Sequence, residues 1–251
     1  MSDQSQAADE SVAPVALVTG GGTGIGAACC RRLAAEGFRV AIHYRSSEEK
    51  AKKLAAELDG SFLVKADLMD PESLDALVKE LKAVAGQVDV LVNNAGYNEN
   101  APMLAMKLEQ YDAVASVARG TWYLTKLILR RFMLRKGTGR IINISSVVGH
   151  TGNPGQVPYT MVKAGLDAFT KSVALELTGR DILINSIAPG FIDTEMTEEL
   201  PEEVKQAILA KIPMGRTGNA DEIADVVAFL ATRGSYINGS VLHVNGGMYG
   251  G

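Results

Sequence analysis

Three kinds of side chain near the middle of the sequence could carry out acid–base chemistry. They are a hydroxyl from the pair Ser145 and Ser146, the phenol of Tyr159 and the ammonium of Lys163. Tyr159 and Lys163 are four residues apart, so both project from one face if the segment after Pro158 is helical. A nearby cation stabilises a phenolate, whose free pKa is about 10. The spacing therefore predicts that Lys163 lowers the pKa of Tyr159 and makes it a general acid or base.

A tyrosine and a lysine at this spacing also occur by chance, so the elements around them must support the assignment. Short apolar runs predict strands at 15–19, 39–43, 61–65, 88–92, 140–144, 182–187 and 240–244. Patterns with the helical period predict helices at 25–35, 48–58, 71–86, 108–135, 159–177 and 221–231. The long helix is expected to be interrupted near Gly120. Alternation of this kind predicts an α/β fold with a parallel sheet.

Length and composition indicate one large domain. Of the 251 residues, 47% are hydrophobic and 22% are charged, which predicts a single domain over 13–251 after a flexible N-terminus, 1–12. The net charge of −4 gives no sign of nucleic-acid binding. Two adjacent cysteines, Cys29 and Cys30, suit a reducing compartment. Without a signal peptide or a membrane-length apolar run, the chain is predicted to be soluble and cytoplasmic.

A glycine-rich turn, TGGGTGIG at 19–26, lies between the first predicted strand and the first helix. Gly20 permits a sharp turn, Gly24 lets the backbone approach a pyrophosphate, and Gly26 lets helix and strand pack closely. The free amides of a helix N-terminus attract the anion. The turn predicts a dinucleotide site, although a purely structural turn is the alternative.

The end of the second predicted strand indicates which nicotinamide cofactor binds. An acidic residue there binds the ribose hydroxyls and repels a 2′-phosphate. Here Arg45 and Ser46 follow the strand, and no carboxylate precedes Glu48. Both residues can hold a phosphate, so NADP is predicted over NAD. An exposed loop arginine without a ligand is the alternative.

The order of these segments resembles the short-chain dehydrogenase/reductase family over nearly all of the chain after Ala13. The segments that match are TGGGTGIG at 19–26, Asp67-Leu68, Asn93-Asn94-Ala95-Gly96, Ser146, Tyr159, Lys163, and Pro189-Gly190 followed by Ile192 and Thr194. The resemblance implies a Rossmann-type, doubly wound, seven-stranded parallel sheet. It also implies that Tyr159 donates a proton, Ser146 orients a carbonyl and Lys163 binds the nicotinamide ribose.

The same resemblance assigns the rest of the cofactor site. It implies that the glycine turn, with Gly20, Thr23, Gly24, Ile25 and Gly26, holds the pyrophosphate of NADP(H). Asp67 and Leu68 flank the adenine in relatives, and Asn94, Ala95 and Gly96 line the ribose. Pro189, Gly190, Ile192 and Thr194 hold the nicotinamide amide. No metal site is expected, because His43, His150 and His243 lack metal-ligand spacing. His150 is considered only as a minor candidate for substrate contact.

Three segments look closest to 3-oxoacyl-[acyl-carrier-protein] reductases: 145–159, 212–232 and 241–250. A reductase of another ketone, sugar or secondary alcohol is the first alternative. The resemblance also implies a homotetramer, a mobile substrate cover over 194–214, and docking of an acidic carrier protein on a basic cluster. That cluster comprises Arg130, Arg131, Arg135, Lys136 and Arg180, and an ordinary solvated surface is its alternative.

One departure concerns the helix before the fifth predicted strand. Relatives have an asparagine there, in a pattern like V-N-L-x-G, which helps to hold a water for proton relay. This chain has Val117 or Ala118 at that place. A weakened enzyme, or a protein that binds the cofactor without efficient chemistry, is therefore a second alternative.

Overall fold

The strands of the described chain, residues 13–193 and 202–250 of a computed structural model, form one parallel sheet. They are β1 Val15–Val18, β2 Arg39–Tyr44, β3 Phe62–Lys65, β4 Val90–Asn93, β5 Thr138–Ile144, β6 Asp181–Pro189 and β7 Val241–Val244. Their order is β3-β2-β1-β4-β5-β6-β7, which confirms the predicted Rossmann-type α/β fold. The order reverses between β1 and β4, where such sheets form a crevice at their carboxyl edge. Thr194 and the predicted flexible segment 1–12 lie outside the described residues.

The helices include two short ones that the sequence does not predict, at 148–151 and 202–209, beside those that it does. The α-helices are α1 Gly24–Ala35, α2 Glu48–Glu57, α3 Pro71–Val84, α4 Leu108–Ile128, α5 Leu134–Lys136, α6 Val148–Thr151, α7 Val157–Glu176, α8 Glu202–Leu209 and α9 Ala220–Thr232. α3 shows why these segments become helical: the Asp70 side chain caps the first turn, Pro71 opens it, and one stripe of leucines is buried. Within the described segments, no helix has the length and apolar character needed to cross a membrane.

The predicted interruption of the long helix at Gly120 is wrong. Gly120 lies inside α4, and a Cβ atom at this position would be only 1.9 Å from the Leu68 carbonyl oxygen. The glycine therefore permits a close approach to the loop after β3. The helix instead changes its hydrogen-bonding pattern at a π-helical turn, Leu129–Met133, before α5.

Two apolar cores cover the two faces of the sheet. The first contains side chains of α1, α2 and α9, and the second contains side chains of α3 and α4 together with Leu177 at the end of α7. Cys29 and Cys30 are free thiols buried in the first core. Burial raises the pKa of Cys29 to about 12 and that of Cys30 well above its ordinary value.

A row of buried polar side chains crosses the carboxyl half of the sheet. The Asn93 amide nitrogen donates to Thr125 Oγ1 at 3.0 Å and to Asn143 Oδ1 at 2.8 Å. Asn143 in turn donates to Thr170 Oγ1 at 2.8 Å, and Thr170 pairs with Ser186 at 2.8 Å. Because a buried polar group without a partner is costly, this row fixes α4 and α7 against β4, β5 and β6.

Candidate active site

The glycine turn has the close contacts that make glycine necessary. Gly20 has a φ of 63° and Gly24 a φ of 51°, which side chains rarely adopt. A Cβ atom on Gly26 would lie 2.1 Å from the Gly20 carbonyl oxygen and 2.6 Å from the Asn94 amide nitrogen. α1 therefore begins directly against the turn, with its first amides at the carboxyl edge of the sheet.

His43 holds this turn in place, a role that the sequence did not reveal. The Gly20 N–H donates to His43 Nδ1 at 3.0 Å, and His43 Nε2 lies 3.1 Å from the Ala66 carbonyl oxygen. Burial lowers the pKa of His43 to about 4. The ring is therefore neutral, with Nδ1 as acceptor and Nε2–H as donor. The position of His43 at the end of β2, the strand next to the turn, is the sequence signal that could have indicated this role.

Asn94 ties the end of β4 to the same turn. Its amide nitrogen donates to the carbonyl oxygens of Thr19 at 2.9 Å and Gly20 at 3.2 Å. The backbone N–H groups of Asn94 and Ala95 both donate to Thr19 Oγ1 at 3.0 Å. The Asn94 side chain is thus engaged in shaping the turn.

A cleft of about 520 Å³ opens beside the turn. It brings together most of the residues proposed for the cofactor: Gly20, Thr23, Gly24, Ile25, Arg45, Ser46, Asp67, Leu68, Asn94, Ala95 and Gly96. Gly26 lies behind the turn and does not line the cleft. Arg45 and Ser46 are exposed along it, so a cation and a hydroxyl are available to a phosphate. The residues present fit a dinucleotide.

The residues proposed for the nicotinamide amide lie elsewhere, at the carboxyl end of β6. The Val147 N–H donates to the Pro189 carbonyl oxygen at 2.8 Å, which joins this segment to the loop that carries Ser146. A Cβ atom on Gly190 would lie 2.7 Å from Asn245 Cα. Ile192 is buried and pairs with Gly218. The described members of this group therefore form a wall beside Ser146 and do not line the cleft next to the glycine turn.

Tyr159, Lys163 and Ser146 are brought together as the spacing predicts. Lys163 Nζ donates to the Ile144 carbonyl oxygen at 2.7 Å and lies 5.5 Å from the centre of the Tyr159 ring. The Val148 N–H donates to Ser146 Oγ at 3.3 Å. The Ser146 hydroxyl is close enough to the Tyr159 phenol to lower the pKa of that phenol. A hydroxyl, a phenol and a buried ammonium thus meet at the carboxyl edge of β5.

The predicted lowering of the Tyr159 pKa is wrong in its net direction. Burial raises the pKa of Tyr159 above its ordinary value, and the hydrogen bond from Ser146 opposes this only in part. Burial also lowers the pKa of Lys163 to about 8, with Asp167 opposing the change. Tyr159 is therefore a neutral phenol near neutral pH, the form that can donate a proton.

A second cleft, of about 300 Å³, lies between α4 and α7 and includes Tyr159 and Lys163 in its lining. The two clefts share Ala95, Gly96, Tyr97 and Val117, so they meet at the end of β4. The remaining lining of the second cleft is mostly apolar and aromatic, including Trp122 and Phe169. A polar cleft for a dinucleotide thus opens onto an apolar cleft that contains an acid.

His150 lines neither of these clefts. Its ring packs on His243 and Tyr249, with centroids 4.7 and 5.0 Å away. This arrangement does not support the minor expectation of substrate contact. The described side chains include no group of three or more His, Cys, Asp or Glu residues placed to hold a metal ion.

Comparison with known proteins agrees with this geometry. Residues 20–249 match the family described as Enoyl-(Acyl carrier protein) reductase. The chain belongs to the short-chain dehydrogenase/reductase family. Members bind a nicotinamide cofactor, and the protein is an oxidoreductase.

Similar relatives are named 3-oxoacyl-[acyl-carrier-protein] reductase FabG. The Aquifex aeolicus protein is 46% identical over 242 residues, covering 94% of this chain and 97% of the relative. The Haemophilus influenzae protein is 45% identical over 239 residues, covering 94% and 98%. The Staphylococcus aureus protein is 43% identical over 240 residues, covering 93% and 97%. The similarity therefore extends over almost the whole of each chain.

We expect Gly26→Ala to weaken nicotinamide cofactor binding at least about 10-fold, because the new methyl group must displace backbone at the turn. The variant should also lose about 1–3 kcal/mol of unfolding free energy. Cofactor titration and urea denaturation measure the two effects. Gly165→Ala is the matched control, because the added Cβ in α7 would meet no neighbouring group within 4 Å. It should lower neither the cofactor affinity nor the unfolding free energy. Unchanged affinity in Gly26→Ala would contradict the close-packing role.

Proposed function

We propose that the protein uses NADPH to reduce the keto group of a 3-oxoacyl thioester on acyl carrier protein to a hydroxyl group. This is a step of fatty acid biosynthesis. The observation that carries the proposal is the placement of Tyr159 and Lys163 in the lining of the apolar cleft, which meets the polar cleft, with Ser146 beside the Tyr159 phenol. The names of the similar reductases support the choice of substrate.

A nicotinamide cofactor held along the first cleft would supply the hydride for the carbonyl carbon. The protein supplies the proton and holds the reacting groups in position. The Ser146 hydroxyl donates a hydrogen bond to the carbonyl oxygen, which becomes more negative as the reaction proceeds. Tyr159 donates its phenolic proton to that oxygen, and the neutral form enforced by burial suits this role. The charged Lys163 stabilises the phenolate that remains.

NADP is favoured over NAD by the charges along the first cleft. Arg45 and Ser46 are exposed at the end of β2, where a 2′-phosphate would accept charge-assisted hydrogen bonds. Asp67 follows β3 instead, and its carboxylate accepts from the Met69 N–H at 2.9 Å. That carboxylate is therefore already engaged with its own loop.

Docking of the carrier protein is proposed at the basic cluster of Arg130, Arg131, Arg135, Lys136 and Arg180. These side chains are exposed, but they precede β5 and β6 and so lie at the amino edge of the sheet. The seven residues of β5 put roughly 23 Å between that edge and Ser146. A second copy that packs antiparallel against α4 would bring its own cluster closer. Acidic carrier surfaces match the charge of the cluster.

We propose that the protein forms a homotetramer through two separate contact faces. Tyr111, Trp122 and Met161, which line the second cleft, also leave an exposed apolar surface on α4 and α7. β7 is at the edge of the sheet, on the opposite side from β3. Two different two-fold contacts are what a tetramer with dihedral symmetry requires.

Two other activities remain as alternatives. Reduction of another ketone, sugar or secondary alcohol uses the same three residues and would differ only in the substrate. Reduction of an enoyl thioester is suggested by the description of the matched family. Ser146 beside the Tyr159 phenol favours the ketone, because both groups converge on an oxygen atom that gains a proton.

The deciding experiment mixes the purified protein with NADPH and a substrate panel, and follows loss of the reduced nicotinamide absorbance. We expect consumption with 3-oxoacyl thioesters, and a lower Michaelis constant when the acyl group is on acyl carrier protein. Tyr159→Phe should lower kcat by at least about 100-fold and leave cofactor affinity unchanged. Consumption with an enoyl thioester alone would replace the proposal. Near-normal turnover in Tyr159→Phe would remove the assigned acid.

Arg45→Ala should weaken NADPH binding about 10- to 100-fold, because a charged hydrogen bond to the 2′-phosphate contributes about 1.5–3 kcal/mol. NADH binding should stay unchanged, since NADH lacks that phosphate. Titration with both cofactors measures the difference. Arg39→Ala is the control: Arg39 begins β2, at the opposite end from Arg45, and its guanidinium lies 5.5 Å from the Phe62 ring centre. Equal losses for both cofactors would argue against a phosphate contact.

The missing relay asparagine can be restored. Gly120 fits the glycine of the V-N-L-x-G pattern, so Val117 occupies the asparagine position, where it lines both clefts. We expect Val117→Asn to raise kcat several-fold, because it gives relay water a polar partner, and to cost about 1–3 kcal/mol of stability. Steady-state kinetics and denaturation measure both quantities. Ala118→Asn is the control. A folded Val117→Asn variant with unchanged kcat would show that the relay does not limit turnover.

A further inference from the structure

His150 and Asp167 form a buried pair that the proposed reaction does not use. His150 Nε2 lies 2.9 Å from Asp167 Oδ2, and both side chains are largely shielded from solvent. The atoms approach without the alignment of a hydrogen bond, and among the described residues no group donates one to either Asp167 oxygen. The contact is an ion pair when the imidazole is protonated. Burying a carboxylate in such a place is costly unless a nearby positive charge compensates its negative charge.

Two further rings cover this pair from outside. His243 of β7 and Tyr249 of the C-terminal segment pack on His150 and on each other, with ring centroids 4.7–5.0 Å apart. Asn245 holds the segment by donating to the Tyr249 carbonyl oxygen at 3.0 Å. The pair is therefore enclosed by a strand and a chain end that are far from it in sequence.

The pair joins the two elements that carry the active-site residues. His150 lies in α6, directly after the loop of Ser146. Asp167 lies in α7, one helical turn after Lys163, so their side chains are neighbours on one face. α6 and α7 are in close contact, since a Cβ atom on Gly149 would be 2.9 Å from the Ala164 nitrogen.

Lys163 needs a negative neighbour. Its ammonium is buried and donates to the Ile144 carbonyl oxygen, and burial lowers its pKa to about 8. The titratable groups around Lys163, Asp167 and His150 come from several elements. They are Tyr159 and Asp167 of α7, His150 of α6, His243 of β7 and Tyr249 of the C-terminal segment. Asp167 is the member of this set whose charge favours the ammonium form.

We propose that the Asp167–His150 pair is a positioning device: Asp167 keeps the Lys163 ammonium charged, and His150 holds the Asp167 carboxylate and the Ser146 loop against α7. Asp167 and His150 are thus positioning residues that act through Lys163 and Ser146. Because this role rests on the proposed ketone reduction, its test uses a measurement that needs no turnover.

That measurement is the pH dependence of Lys163 acetylation by acetic anhydride, followed by peptide mass spectrometry. Only the neutral amine reacts, so the midpoint reports how firmly the proton is held. In Asp167→Asn the midpoint should fall by about one pH unit, since a neighbouring carboxylate that favoured the charged form is gone. Asp167→Glu keeps the charge and should restore the midpoint.

His150→Phe keeps a ring against Tyr249 but loses the contact with the carboxylate. We expect a smaller fall of the Lys163 midpoint, because Asp167 is still present but is no longer held. Combined with Asp167→Asn, the change at His150 should add nothing, since it acts through Asp167. Asp225→Asn removes a helical carboxylate that pairs with Arg32 at 2.7 Å, away from the site, and should leave the midpoint unchanged.

An unchanged Lys163 midpoint in a folded Asp167→Asn variant, judged by thermal unfolding, overturns the proposal. Should that variant not fold, His150→Phe decides, and an unchanged midpoint there overturns it. If the midpoints shift as expected, the alkaline limb of the kcat profile with the active substrate should move with them. Midpoint shifts in a protein that reduces no ketone would separate failure of the proposed function from failure of the pair.

Discussion

The buried face of α7 is the constraint on which the site depends, because it is polar where a helix against a sheet is ordinarily apolar. Lys163, Asp167 and Thr170 are all buried and recur at helical spacing along one stripe. Thr170 is fixed by hydrogen bonds to Asn143 and Ser186, so the rotation of the helix about its axis is fixed as well. A small rotation would break this row and would also move the ammonium away from β5. The same polar row that holds the helix therefore sets the geometry of the proposed acid and its neighbours.

The parallel sheet divides the molecule into two ends with different properties. Strand ends, the glycine turn and both clefts meet at the carboxyl edge, which is where such folds bind ligands. The exposed arginines precede β5 and β6 at the amino edge. The proposed docking of an acidic partner at one edge and the proposed reaction of a carbonyl at the other would together require a long flexible linkage or a neighbouring copy. Delivery of a carrier-bound substrate to the site would therefore depend on whether a neighbouring copy is present.

Sequence patterns predicted the alternating elements well, because the strands are short apolar runs between helix-period segments. They also predicted which residues gather at the carboxyl edge, since that follows from the order of a parallel sheet. Gly120 was misread as a helix break because the nearby Leu68 carbonyl, 52 positions earlier, is visible only in three dimensions. The direction of the Tyr159 pKa was wrong for a similar reason: spacing shows a nearby cation but not the loss of solvent. His150 and Asp167 meet only after β5, α6 and α7 are packed, so their pairing left no local signal.

The adjacent thiols of Cys29 and Cys30 have a practical consequence for work on this protein. They are the only cysteines in the sequence, and both are buried in the core beneath α1. Their raised pKa values keep them protonated, and a thiol is a far weaker nucleophile than a thiolate. A cysteine introduced on the surface of α8 would therefore react with maleimide dyes ahead of the native pair. Spectroscopic probes of that helix can be attached without first removing a native residue.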